Sequence, residues 1–98
     1  MAGREKLSPE QIAARSAELD GWKVVGGARI SKQFTFADFV TAFGFMARCA
    51  ELAEELNHHP EWSNVYNRVS VDLTTHDAGG LTELDFTFAE RADNLATQ

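Results

Sequence analysis

The spacing of apolar and polar positions changes several times along the chain, and each change marks an element. Ser8-Pro9-Glu10-Gln11 supplies an N-cap candidate, a proline at the first helical position and a Gln placed to reach back to the cap. It predicts a first helix over 9–19, stopped by Asp20-Gly21. Trp22 to Val25 and Ala28 to Phe34 are rich in β-branched and aromatic residues and flank Gly26-Gly27, which reads as a hairpin.

The longest periodic segment follows. Thr35 and Asp38 stand at the first and fourth positions of a capping-box-like start, with Phe34 and Phe39 at the hydrophobic-staple positions, and predict a helix over 35–57. Projected at ~100° per residue, one stripe holds Phe36, Phe39, Val40, Phe43, Ala47, Ala50 and Glu54, and is read as facing the core. The other side holds Phe45, Cys49, Leu52 and Leu56, separated from it by a polar lane of Thr41, Gly44, Arg48, Glu51 and Glu55. One apolar stripe is enough to face a core, so a second one calls for self-association through the 35–57 helix. The competing account rests Leu52 and Leu56 on the first helix of the same chain.

Pro60 ends this helix by forcing the preceding residue out of the α region. Glu61 to Tyr66 and Val69 to Thr75 then read as two strands around a tight turn at 66–68, or alternatively as one long strand. Asp77-Ala78-Gly79-Gly80 makes a loop, and Thr82 with Asp85 opens a last helix carrying Leu84, Phe88, Ala89, Ala92 and Leu95. The order α-β-β-α-β-β-α with short strands joined by turns implies an α+β fold, a four-stranded antiparallel sheet with helices packed on one face.

Composition narrows the function classes. At 98 residues the chain suffices for one core, hence a single domain over 1–98. No apolar run is long enough to span a bilayer, and the first residues lack the apolar segment of a secretory signal, so a cytoplasmic location is expected. A net charge of -6 with nine scattered Lys and Arg argues against direct binding to nucleic acid. The single Cys49 falls in a helical pattern, where a thiol behaves as a small apolar residue.

All three histidines fall between His58 and His76. Imidazole titrates near neutrality, so a cluster of them can hold proton donors and acceptors in one pocket. Two other readings compete with a catalytic set. A metal site is disfavoured because His58 and His59 are adjacent before Pro60, so their side chains should diverge, and no second cysteine adds a ligand. A structural role would make His58-His59-Pro60 a helix terminus and His76 a surface residue. Glu54 on the apolar stripe and Asp85 in the first turn of the last helix shift the balance, because a carboxylate on an apolar stripe needs a partner. An imidazole or a bound heterocycle would serve, and Trp62 offers a ring for stacking. There is no phosphate-binding glycine loop.

The run from Glu54 through Asn57-His58-His59-Pro60-Glu61-Trp62-Ser63 to Asn67, continued by Thr75-His76 and Gly80-Leu81-Thr82 to Asp85, resembles the motif of the pterin-4a-carbinolamine dehydratase family. Gly21-Trp22, Phe34 to Phe36, Phe39 and Ala42 to Met46 extend the resemblance over nearly the whole chain. It implies removal of the 4a-hydroxyl of a 4a-hydroxytetrahydropterin to give quinonoid dihydropterin, with no metal or organic cofactor. It also implies dimers that pair into tetramers through the long helix. By resemblance His58 and His76 are acids on opposite sides of the pterin, and His59 binds substrate and serves as base. Glu54 and Asp85 orient imidazoles or hold the pterin, and Trp62 and Thr75 shape the pocket. In animals, family members also act as dimerisation cofactors of a homeodomain transcription factor, so a protein-binding role is the alternative function.

Overall fold

The computed structural model describes residues 4–97. The elements run α1 (Pro9–Ser16), β1 (Lys23–Val25), β2 (Arg29–Thr35), α2 (Phe39–Leu56), β3 (Glu61–Val65), β4 (Arg68–Leu73) and α3 (Glu83–Ala96). This is the expected α-β-β-α-β-β-α order, with a 3-10 turn at His76–Ala78 that overlaps the start of the loop read from Asp77 to Gly80. The four strands pair antiparallel in the order β1-β2-β4-β3. No described helix is long and apolar enough to cross a membrane.

Local chemistry accounts for most boundaries. At α1 the Ser8 hydroxyl accepts from the Gln11 N–H while the Gln11 side chain accepts from the Ser8 N–H. The helix ends at Ser16, earlier than expected, and residues to Leu19 continue as turn. The 66–68 turn is real: Tyr66 adopts φ 51°, and the Asn64 amide donates to the carbonyls of Tyr66 and Arg68. Two strands therefore replace the single-strand alternative.

The start of α2 differs from its reading. Thr35 is not a cap but the last residue of β2, paired with Arg68, and the helix begins after Asp38, whose carboxylate accepts from the Thr41 N–H at 2.8 Å. The reason is tertiary. Phe36 N–H donates to the Asn67 carbonyl and the Asn67 amide donates to the Phe36 carbonyl, both at 2.8 Å, which holds the chain extended past Thr35.

The two faces of α2 are also exchanged. Ala42, Phe45, Cys49, Leu52 and Ala53 are buried, whereas Phe39, Val40 and Phe43 are 46%, 78% and 56% exposed. Glu54 stands on this open side, with a side chain 78% exposed, not on the core side. Periodicity could not choose between two apolar stripes. The sheet chooses: Phe45 packs on Phe34 at 4.7 Å and on Phe36 at 5.0 Å between ring centroids.

On the sheet, Ile30, Phe34, Val69, Val71 and Leu73 are buried on one face, and Gln33, Thr35, Arg68 and Ser70 are exposed on the other, so the helices cover one side only. The polar residues of α3 are used as ties. Asp93 accepts from the Trp22 indole at 3.1 Å and from Lys32 at 2.8 Å, and Arg15 pairs with Glu83 and Glu90.

Candidate active site

The site is built where α2 ends. Asn57 takes the left-handed conformation, φ 50°, and His58 N–H donates back to the Ala53 carbonyl at 3.0 Å. Asn is one of the few side-chain-bearing residues that tolerate this region. The reversal directs His58 inward, 7% exposed, and leaves His59 outward with its ring 58% exposed. Adjacent imidazoles diverge, as expected for neighbours in extended chain.

Each imidazole meets its own carboxylate. His58 Nε2 lies 2.6 Å from Asp85 Oδ1, His59 Nε2 lies 2.6 Å from Glu54 Oε2, and His76 Nε2 lies 3.1 Å from Glu61 Oε2. The first pair is deep and the other two are exposed. Among the described residues no three His, Cys, Asp or Glu side chains converge on a point that could hold a metal ion.

Asp85 is fully buried and held from both sides. As the fourth residue of the capping box at α3, its Oδ2 accepts from the Thr82 N–H at 2.9 Å, and the same oxygen accepts from the Thr75 hydroxyl at 2.9 Å. Thr75 and Thr82 hydroxyls are themselves 2.8 Å apart. Thr75 also pairs with Gly80 across the loop, which fixes where His76 leaves the strand end. A capping motif has thus been extended into the site: the carboxylate that starts α3 orients an imidazole.

The three histidines open on a cleft of about 210 Å³ lined by Arg4, Asn57, His58, His59, Thr74, Thr75, His76 and Asp77. Of the residues singled out from the sequence, His58, His59, His76 and Thr75 are brought together on its wall. Asp85 and Glu54 stand behind His58 and His59 as their partners. Trp62 is half-buried on β3, packed against the core and not on the cleft wall. Sequence reasoning missed Arg4, Glu61 and Thr82 as participants. Thr82 carried a signal, since a cap hydroxyl next to a site carboxylate has two possible uses. Arg4 carried none, because its position depends on a contact between distant segments.

A family model described as Pterin 4 alpha carbinolamine dehydratase matches residues 5–95. A relative from Rhizobium johnstonii named for pterin-4-alpha-carbinolamine dehydratase is 55% identical over 95 residues, spanning 96% of this chain and 94% of its own. Another so named, from Solibacter usitatus, is 53% identical over 91 residues, spanning 93% and 95%. The crystal structure of a transcriptional coactivator/pterin dehydratase from Brucella melitensis superposes with a TM-score of 0.90 at 47% identity, covering 94% of this chain and 99% of that one. A pterin dehydratase-like protein described as a RuBisCO assembly factor in the alpha-carboxysome superposes with a TM-score of 0.68 at 28% identity, covering 79% and 90%.

Proposed function

The chain belongs to the pterin 4 alpha carbinolamine dehydratase family, and from that premise we propose that it expels water from a 4a-hydroxytetrahydropterin by proton transfer through His58, His59 and His76. The observation that carries the reading is the convergence of three imidazoles, each oriented by its own carboxylate, on one cleft.

The reaction breaks the C4a–O bond and the N5–H bond and forms a new O–H bond, giving water and quinonoid dihydropterin. No electrons leave or enter the substrate, so the balance needs no redox partner. Hydroxide is a poor leaving group and must be protonated as it departs, while a base takes the N5 proton. Each positioned transfer is worth about 10²–10⁴-fold.

His58 and His76 act as the acids and His59 binds substrate and takes the N5 proton. An ionised Asp85 can only accept, so His58 Nε2 is the donor in their pair; the neutral ring then keeps its lone pair on Nδ1, and the charged ring carries a second N–H there. Glu54 and Glu61 do for His59 and His76 at the mouth what Asp85 does for His58 in the interior. Of the four residues expected to hold substrate, Thr75 stands on the wall and can contact it directly, Glu54 and Asp85 act through the imidazoles they hold, and Trp62, off the wall, supports β3 beside Glu61.

The family resemblance and the open apolar stripe of α2 also support self-association of the chain through that helix. The same stripe would serve a coactivator role of the kind named for the Brucella neighbour, without excluding turnover.

Following the absorbance of freshly generated 4a-hydroxytetrahydropterin tests the reaction. Wild type should speed the decay well beyond the spontaneous rate, and His58→Ala, His59→Ala and His76→Ala should each lose most of that gain. A wild-type protein that leaves the spontaneous rate unchanged would overturn the assignment.

A further inference from the structure

Arg4 is the one Lys or Arg among the described residues of the cleft wall, and it arrives there from the far end of the chain. Three residues on, Leu7 is 8% exposed and its N–H donates to the Leu81 carbonyl at 2.8 Å. The stem of Lys6 lies along Gly80, where an added Cβ would meet it at 3.1 Å. The segment is thus strapped across the loop that carries His76 and delivers Arg4 to Asn57, whose carbonyl accepts from Arg4 Nη2 at 3.1 Å.

That bond uses one arm of a planar guanidinium and leaves the rest of its N–H fork to other acceptors. The carboxylates that serve the histidines are already engaged: Asp85 with His58, Glu54 with His59 and Glu61 with His76. Asp77 lines the same cleft and makes no ion pair with Arg4.

The chemistry of the substrate says what the fork meets. In a pterin the carbon bearing the 4-oxo group is bonded directly to C4a. Any pose that presents the C4a hydroxyl to His58 and His76 therefore sets the 4-oxo oxygen, a strong acceptor, beside them. We propose that Arg4 is a substrate-binding residue that donates to the 4-oxo oxygen of the bound pterin, and so selects 4-oxo over 4-amino heterocycles. This rests on the pterin reading of the cleft. The reaction breaks C4a–O and N5–H and leaves the 4-oxo group itself unbroken, so a donor held on that oxygen favours the bound substrate and the transition state about equally. Its effect belongs in KM and not in kcat.

The test compares binding of two stable probes, a 4-oxo dihydropterin and the matching 4-amino compound, by quenching of intrinsic tryptophan fluorescence. Wild type, Arg4→Ala and Arg4→Lys are measured beside the dehydration assay. Wild type should prefer the 4-oxo probe by about tenfold or more, as a hydrogen bond to a charged group allows. Arg4→Ala should lose that preference and raise KM by about the same factor with kcat within about twofold, and Arg4→Lys should recover part of both. Thermal melts keep a folding defect separate, since lost capping of Asn57 alone would lower the melting temperature without altering the ratio between probes. An unchanged ratio in Arg4→Ala, or a fall in kcat at constant KM, overturns the inference while the dehydratase reading stands. A wild type that selects the 4-oxo probe without accelerating dehydration overturns the reaction and keeps the inference. A wild type that binds neither probe overturns both.

Discussion

His58 Nε2 sits 2.6 Å from a carboxylate oxygen of Asp85, and neither residue is more than 7% exposed. The other oxygen of Asp85 is saturated by Thr82 and Thr75, so the carboxylate cannot turn away from the imidazole without leaving buried donors unpaired. Asp85→Asn keeps the shape but aims an amide donor at groups that themselves donate. We expect it to lower kcat by about 10²–10⁴-fold, because the orientation and tautomer of His58 are lost. It should also cost about 1–3 kcal/mol of stability for each buried donor left unsatisfied. Steady-state kinetics and denaturant unfolding of the same preparation measure both. A fully active variant would mean that His58 needs no orientation by Asp85.

The exposed pairs should behave differently. The His76 and His59 rings are 72% and 58% exposed, so their removal opens no cavity and strands no buried group. His76→Ala should therefore leave unfolding free energy within about ±0.5 kcal/mol while activity collapses. His58→Ala should lose both, since Asp85 is left without its partner. Equal stability losses for His58→Ala and His76→Ala would contradict the separation of buried and surface imidazoles.

The reach of sequence reasoning follows the range of the forces involved. Ser8 with Gln11 and Thr82 with Asp85 were legible because capping is settled within four residues. The cap of α2 was not, because Asn67 reaches across from the β3–β4 turn to hold Phe36 extended, and Thr35 is spent in the sheet. The inward face of α2 was illegible for a related reason: both stripes are apolar, and only Phe34 and Phe36 decide that Phe45 goes in and Phe43 stays out. The histidine cluster could be read from proximity in the chain. Its ordering into one buried and two exposed rings could not, since it depends on the left-handed turn at Asn57 and on where Asp85 arrives.

Asp38 gives a prediction in pH. Its carboxyl is held below the ordinary value of 3.8 chiefly by accepting the Thr41 backbone N–H. A carboxyl whose folded pKa lies below its unfolded one adds stability above the unfolded value, and that stability is lost as pH falls through the folded one. Asp38→Ala should thus melt below wild type at pH 7, and the gap should narrow as pH falls below 3.8. Calorimetric melts of the pair across this range supply the measurement; a gap that stays constant would remove the carboxylate from the capping of α2.

Cys49 lies on the buried face of α2, and burial pushes its thiol up to about 12. The thiolate is the reactive form, so native protein should resist thiol reagents at pH 8 and react only as fast as it opens. Labelling followed by mass should be complete in denaturant and negligible without it. Rapid native labelling would show that the α2 face carrying Phe45 and Cys49 is not closed.

The open stripe of α2 yields the last prediction. Phe39, Val40 and Phe43 are exposed together, and the rings of Phe39 and Phe43 lie 5.8 Å apart, so they form a continuous apolar surface. Isolated exposed apolar residues need no explanation, but a contiguous patch on a chain with net charge -6 draws association once its apolar area outweighs the mutual repulsion of like-charged copies. Sedimentation velocity should therefore find wild type heavier than the 10.8 kDa chain. Val40→Glu and Phe43→Glu should shift it toward the monomer while leaving the far-ultraviolet spectrum intact, because both side chains already face solvent in the single chain. Added salt should strengthen wild-type association by screening the repulsion. A wild type that sediments as a monomer at all ionic strengths would leave the stripe without a self-association role.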